Sequence, residues 1–198
     1  PGNLLDDCAN VNAGITGGTT AMGASYDFGS GFTAAFGAQT GNASVFTEES
    51  TDSYAVNAAY TADNYAISLT YGVVEAVDAN DALTDEEDKF TAINAYYTPD
   101  AEGLPSISVG YEFGDIGGAA AGADEQASFM VGLTWDEVGP GSAGVAVGHS
   151  NTNENADELY QYEAYYEYPV NDSMTITPLI YTLDAAGDID DTTGMMVK

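Results

Sequence analysis

Apolar and polar residues alternate with a period of two along most of this chain, and the alternation comes in short blocks. In Ser106–Phe113, Ile107, Val109, Tyr111 and Phe113 oppose Ser106, Ser108, Gly110 and Glu112. In Ala127–Asp136, Phe129, Val131, Leu133 and Trp135 oppose Met130, Gly132, Thr134 and Asp136. A β-strand sends successive side chains to opposite faces, so each block reads as a strand with one apolar and one small, polar face. About eleven such blocks follow one another. They are Ala21–Phe28, Phe32–Gln39, Ser53–Thr61, Tyr65–Gly72, Lys89–Thr98, Ser106–Phe113, Ala127–Asp136, Gly144–Ser150, Tyr160–Tyr168, Met174–Thr182 and a last one beginning near Gly194. Lys89–Thr98 and Met174–Thr182 alternate less cleanly, and their phase stays open.

The connections alternate in length as strictly as the strands alternate in polarity. Gly29–Gly31, Ala62–Asn64, Pro99–Pro105, Glu137–Ala143 and Pro169–Ser173 are short and hold the Gly, Pro, Asn and Asp that tight turns require. Thr40–Asp52, Val73–Asp88, Gly114–Gln126, Asn151–Leu159 and Leu183–Thr193 are long. A soluble sandwich has no reason to keep this order. A transmembrane barrel does, with short periplasmic turns and long outer loops. The expected fold class is therefore all-β: an antiparallel up-and-down transmembrane β-barrel, present over residues 1–198 as a single-domain fragment of about eleven strands that need not close. Pro1 reads as lying within a connection and Lys198 within a strand, so both ends are expected to be truncations.

Charge sharpens this picture. The 198 residues hold 32 Asp and Glu against 2 Lys and Arg, a formal net charge of −30. Nucleic acid is excluded as a partner, because no basic patch exists to meet phosphates. Disorder, the usual reading of so high a charge, does not fit a chain that is 44% apolar with 14 Tyr and 7 Phe. No apolar run is long enough for a transmembrane helix. Most carboxylates fall in the long connections. The exceptions within strands are Asp27, Glu112, Asp136, Glu163 and Glu167, and all of them lie on the small, polar phase. An apolar outside and a polar inside describe a water-filled barrel, in which a charge on the lipid face costs roughly 2–4 kcal/mol at the midplane.

These acids are the candidate pore lining, with Ser25, Asn57, Ser68, Thr70, Ser108, Thr134 and Gln161 as polar companions. Asp27, Glu112, Asp136 and Glu167 are expected to ring the inner mouth beside the short turns, with Glu163 deeper. Such a ring would favour cations; the plainer alternative, equally weighted, is that the acids keep the lumen wet. Aromatic residues are expected in two bands. One sits beside the short turns (Tyr26, Phe28, Phe32, Tyr60, Tyr65, Tyr97, Tyr111, Phe113, Trp135, Tyr166, Tyr168). A looser one sits at the other strand ends (Tyr54, Tyr71, Phe90, Phe129, Tyr160, Tyr181). Bands of this kind mark membrane interfaces, although β-propensity alone also enriches Tyr and Phe.

The segments YDFGSGFTAAFGAQTG (Tyr26–Gly41), YAVNAAYTADNYAISLTYG (Tyr54–Gly72), PSISVGYEFG (Pro105–Gly114), ASFMVGLTWDEVGPGSAGVAVG (Ala127–Gly148), YEYPVNDSMTITPLIYT (Tyr166–Thr182) and GMMVK (Gly194–Lys198) resemble the cyanobacterial outer-membrane porins. That family is related to the carbohydrate-selective, OprB-like porins and is often described as iron-uptake porins. The resemblance runs from Asn3 onward and corresponds to the C-terminal part of the barrel. It implies about 16 strands in the whole barrel, an amino-terminal cell-wall-binding segment that this chain does not show, and a homotrimer in the outer membrane. It also implies passive transport of inorganic ions, iron among them, and of sugars, with outer-membrane lipid and small solutes as partners and no enzymatic step. The near-absence of Arg and Lys departs from the usual constriction and argues against anion selectivity.

Little other chemistry is available. One histidine, His149, continues the Val145, Val147 phase and reads as a half-exposed interfacial residue without a nucleophile beside it. One cysteine, Cys8, has no internal partner. Gly114–Gly122 is glycine-rich but lacks the Lys of a phosphate loop. No cofactor is expected. Weak Ca²⁺ or Mg²⁺ binding by Asp85, Glu86 and Asp88, or by Asp188, Asp190 and Asp191, is weighed against ordinary solvated acidic loops, which are favoured. The rival functional reading is an acidic all-β surface or adhesin-type protein whose loops bind cations or glycans.

Overall fold

A computed structural model describes residues 20–40, 52–77, 83–117, 119, 123–153, 155–187 and 189–198, with the side chains at 76–77, 83–85 and 150–152 outside that description. The strands are β1 (Thr20–Gly29), β2 (Phe32–Thr40), β3 (Asp52–Thr61), β4 (Tyr65–Val77), β5 (Leu83–Tyr97) and β6 (Ser106–Asp115). They continue as β7 (Glu125–Val138), β8 (Gly141–Asn153), β9 (Tyr160–Asn171), β10 (Met174–Ile176), β11 (Pro178–Leu183) and β12 (Thr192–Val197). Each pairs antiparallel with its sequence neighbour in one up-and-down sheet, except that β9 takes both β10 and β11. β1 and β12 do not pair with each other, so the sheet is not closed into a barrel.

The blocks of alternation become strands where expected, and the differences have physical causes. Met174–Thr182 is broken in two because Pro178 has no N–H to give a ladder. Thr177 at the break exchanges backbone bonds of 3.0 and 3.1 Å with Lys198 instead. One long connection, Val73–Asp88, is largely ladder. β4 and β5 run on past Gly72 and before Lys89, with Val74 opposite Asp88 and Glu75 opposite Glu87. Those acids therefore sit on a projecting hairpin rather than in an irregular loop. The β1–β2 turn is Gly29-Ser30-Gly31, all with positive φ (76°, 53° and 86°). Two glycines carry most of that left-handed backbone without Cβ strain.

The ladder also slips. One continuous rung of paired residues runs Tyr26, Ala34, Ala58, Leu69, Ile93, Tyr111, Phe129, His149, Tyr160. It begins close to the short-turn end of β1 and ends on the first residue of β9, at the opposite end of the sheet. That is a slip of about one residue per strand; with a rise of about 3.3 Å and a strand spacing of about 4.8 Å, the strands lean by roughly 35°.

The sheet buries almost nothing apolar. Among the described residues only Val73, Phe90, Ala92 and Leu179 are buried hydrophobics. The apolar phase faces outward and stays exposed: Tyr26 and Phe28 at 66% and 65%, Ile67 at 47% and Val109 at 40%. Polar side chains take the protected positions, with Ser128 at 1% and Glu112 and Glu163 at 4%. Among the described residues no second sheet or helix packs on that face.

Candidate functional site

The polar face assembles rung by rung. Ser25, Ala35, Asn57, Thr70, Ala92, Glu112 and Ser128 are successive partners across β1 to β7. The next rung runs Asp27, Thr33, Ala59, Ser68, Asn94, Gly110, Met130, Gly148, Gln161. A third joins Tyr96, Ser108, Gly132, Ala146, Glu163 and Tyr181. A fourth joins Ser106, Thr134, Gly144 and Tyr165. Directly paired residues share a face, so Ser25, Asp27, Asn57, Ser68, Thr70, Ser108, Glu112, Thr134, Gln161 and Glu163 lie on one surface. Glu167, opposite Ser142, continues it. Asp136 follows Thr134 in phase but falls inside the register shift between Trp135 and Val138, where it has no ladder partner.

Hydrogen bonds hold several of these side chains. Asn57 donates through Nδ2 to Thr70 Oγ1 at 2.8 Å and to the Leu69 carbonyl at 3.3 Å. The Thr98 hydroxyl donates to Tyr96 Oη at 2.6 Å and lies 3.0 Å from Ser106 Oγ. Two of the acids also serve the turns beside them. Asp27 Oδ1 accepts the Gly29 N–H at 2.7 Å, and Glu167 Oε2 accepts the Ser142 hydroxyl at 3.1 Å.

The expected ring of four acids does not form. Asp27, Asp136 and Glu167 lie near short turns, but Glu112 sits near the Asp115 end of β6, beside a long connection. Glu112 and Glu163 are instead buried within the face. Tyr111 and Phe113 likewise belong to the aromatic band at the long-connection ends. Phe90 and Tyr181 leave the bands altogether, since their registers put them on the polar face opposite Gly72 and Gly194. His149 is on the outward phase as expected but is 5% exposed, not half-exposed. It packs edge-on against Phe129 and Tyr160, with centroids 4.9 and 5.7 Å away.

Ser128, Asn94 and Ser106 are members of the face beyond the sequence-derived set. Asn94 follows once the phase of β5 is known; the alternation of Ser106 and Ser128 with their apolar neighbours already marked both. Among the described residues four aromatic rings also stand on this face: Phe90, Tyr96, Tyr165 and Tyr181. Three of them cover a glycine directly opposite. A Cβ on Gly114, Gly144 or Gly194 would lie 2.5, 2.4 or 2.3 Å from the ring of Phe90, Tyr165 or Tyr181.

Asp88 accepts the Gly117 N–H at 2.9 Å in the projecting hairpin. Burial pushes its carboxyl above the ordinary range; the Gly117 bond opposes this and the charge of Asp115 adds to it. Among the described residues no three His, Cys, Asp or Glu converge as a metal site. Asp191 Oδ1 accepts the Ala185 N–H at 3.2 Å. Asp188, the side chain of Asp85, Cys8 and part of Gly114–Gly122 lie outside the described residues. Among those residues no helix is long and apolar enough to cross a membrane, which says nothing of crossing by strands.

No known protein family matches the chain, and no curated protein or solved structure gives a significant match to it.

Proposed function

We propose that this protein forms part of the wall of an outer-membrane diffusion pore, passing small hydrophilic solutes and ions through a water-filled lumen. The observation that carries the reading is the inverted polarity of the sheet. Apolar side chains are exposed on one face while Glu112, Ser128 and Glu163 are buried on the other. Fully removing one large apolar side chain from water is worth about 1.5–3 kcal/mol, and in water alone this fold forgoes that gain along nearly every strand. A hydrocarbon environment supplies it. The lean of roughly 35° also falls within the range of membrane barrels.

On this reading the long acidic connections face the exterior and the short turns the periplasm. The acids of the polar face make the lumen hospitable to inorganic cations, iron among them, and neutral sugars pass by size. The subunits assemble as homotrimers, no catalytic step occurs, and no cofactor is required. The rival, an acidic surface protein binding cations or glycans, accounts for the charge but leaves the exposed apolar phase without purpose.

Trp135, the single tryptophan, lies on the outward phase near a short turn and reports on the difference. Folded into vesicles, its fluorescence should be quenched more by lipids brominated near the headgroup than by lipids brominated at mid-chain. Loading the vesicles with osmolytes and following their swelling then tests permeation. A chain that folds without detergent or lipid and shows no quenching rules the pore reading out.

A further inference from the structure

The outward face carries one feature that a plain lipid-facing wall does not need. At the long-connection end, Asn153 at the end of β8 and Ala156 and Glu158 of the β8–β9 connection border an open cavity of about 650 Å³. Its aromatic wall is made by Tyr71, Tyr111 and Phe113. Tyr71 and Phe113 are on one rung, separated by Thr91, and the Tyr111 and Phe113 rings are 6.1 Å apart. His149 lines the cavity too, buried against Phe129 and Tyr160. The volume is in the range of small-molecule sites. The three aromatic residues, Lys89 and Asp115 are on the phase opposite Glu112 and Glu163, whereas Gln126 and its ladder partner Asn153 are on the phase of Glu112, so it is the aromatic side of the cavity that stands apart from the proposed lumen.

The polar lining limits what could occupy it. Asp115, Asp124, Glu125 and Glu158 contribute carboxylates, and Lys89 is the one basic residue. The Lys89 ammonium is already 3.4 Å from Glu87. Carboxylates only accept hydrogen bonds and outnumber Lys89, so positive charge in an occupant is favoured over the phosphate or carboxylate that they would repel, while Thr91, Gln126 and Asn153 can pair with donors or acceptors alike. Aromatic faces also attract cations, most strongly ones that are weakly hydrated. Inorganic ions would gain from the carboxylates but nothing from three rings. A neutral sugar would gain from the rings but leave the excess of negative charge unanswered. An organic ammonium uses both.

We propose that this cavity binds an organic ammonium ion of the trimethylammonium type, its methyl groups against Tyr71, Tyr111 and Phe113 and its charge toward the carboxylates. Choline is a direct probe, and 3,3-dimethylbutan-1-ol is its uncharged isostere of nearly equal shape. Calorimetric titration of the full chain in a maltoside detergent should show saturable choline binding. The alcohol should bind at least tenfold more weakly. Tyr111→Leu, which keeps the packing but removes the ring, should weaken choline at least fivefold, and so should Asp124→Asn with Glu158→Gln.

The same titration with dodecyltrimethylammonium identifies the source of the headgroup. Much tighter binding than choline marks a membrane amphiphile, and equal binding marks a free solute. Equal affinity for choline and the alcohol, absence of saturable heat, or choline binding unchanged in Tyr111→Leu would overturn the proposal. The last outcome would mean that the charge of −30 merely gathers counterions. A preserved β-sheet circular dichroism spectrum for each variant separates lost binding from lost folding.

Discussion

Gly144 faces Tyr165 across the β8–β9 ladder, and the ring lies where a side chain would stand. The pair does two things for a sheet whose inner face has few apolar contacts: it shields backbone that glycine leaves bare, and it pins the register. Gly144→Ala should therefore cost about 1–3 kcal/mol, the usual range for overpacking, read as a lower urea midpoint in micelles. Adding Tyr165→Ala should return part of that loss, and strictly additive costs would show that the ring and the glycine are not coupled. Asp88 makes a prediction of the opposite kind. Its carboxyl is held above the ordinary range chiefly by burial, so the folded hairpin binds the proton more tightly than the unfolded chain does. The associated stability is fully present below the unfolded value of 3.8 and is lost as pH rises through the raised folded one. Opening of the β4–β5 ladder amides beside Asp88, followed by hydrogen exchange corrected for intrinsic rates, should become easier across that window. Asp88→Asn should flatten the dependence; an unchanged profile would assign it to another acid.

At the scale of single strands, β6 gives the cleanest comparison, because Ser108 and Val109 are neighbours on opposite faces. Val109→Asp places a carboxylate on the exposed apolar side, and in a bilayer it should lose roughly 1–3 kcal/mol, less than a base would at the same depth. Ser108→Asp puts the same charge on the polar side and should be nearly silent. Equal refolding yields of the two variants into vesicles would contradict the assignment of faces. Strands such as β6 were legible in the sequence because their two faces differ in every residue. β5 was not, because Ala92, Asn94 and Tyr96 alternate with Thr91, Ile93, Ala95 and Tyr97, and both sets mix polar with apolar. Only pairing with β4 and β6 fixes its phase. The projecting β4–β5 hairpin was read as a loop for a related reason. Its acids break the apolar pattern, yet a ladder beyond the aromatic bands meets water on both sides and needs no such pattern. Glu112 was misplaced although its neighbourhood was legible: the block Ser106–Phe113 runs straight into the long connection Gly114–Gln126, so its last acid belongs to the long-connection end.

For the whole molecule, the polar face gathers acids without gathering them into a ring, which changes what their removal should do. Neutralising Asp27, Glu112, Asp136, Glu163 and Glu167 together should lower the cation preference seen in reversal potentials across a bilayer, in steps spread over the variants rather than at one residue. An unchanged preference would leave these acids only the task of wetting the lumen. The slip of the ladder yields the most general test. A rung that crosses from one end of the sheet to the other between β1 and β9 requires strands leaning by roughly 35° to the axis about which the sheet curls. If that axis is the membrane normal, polarised infrared spectroscopy of the amide I band in aligned bilayers should return a tilt of this size for the average strand. Strands lying flat on the membrane would give a mean angle near 90°, as for a surface-bound acidic protein. An isotropic signal would mean that the exposed apolar phase has not been taken up by lipid. The tilt follows from backbone pairing alone, so it tests the membrane reading without depending on any assignment of pore-lining side chains.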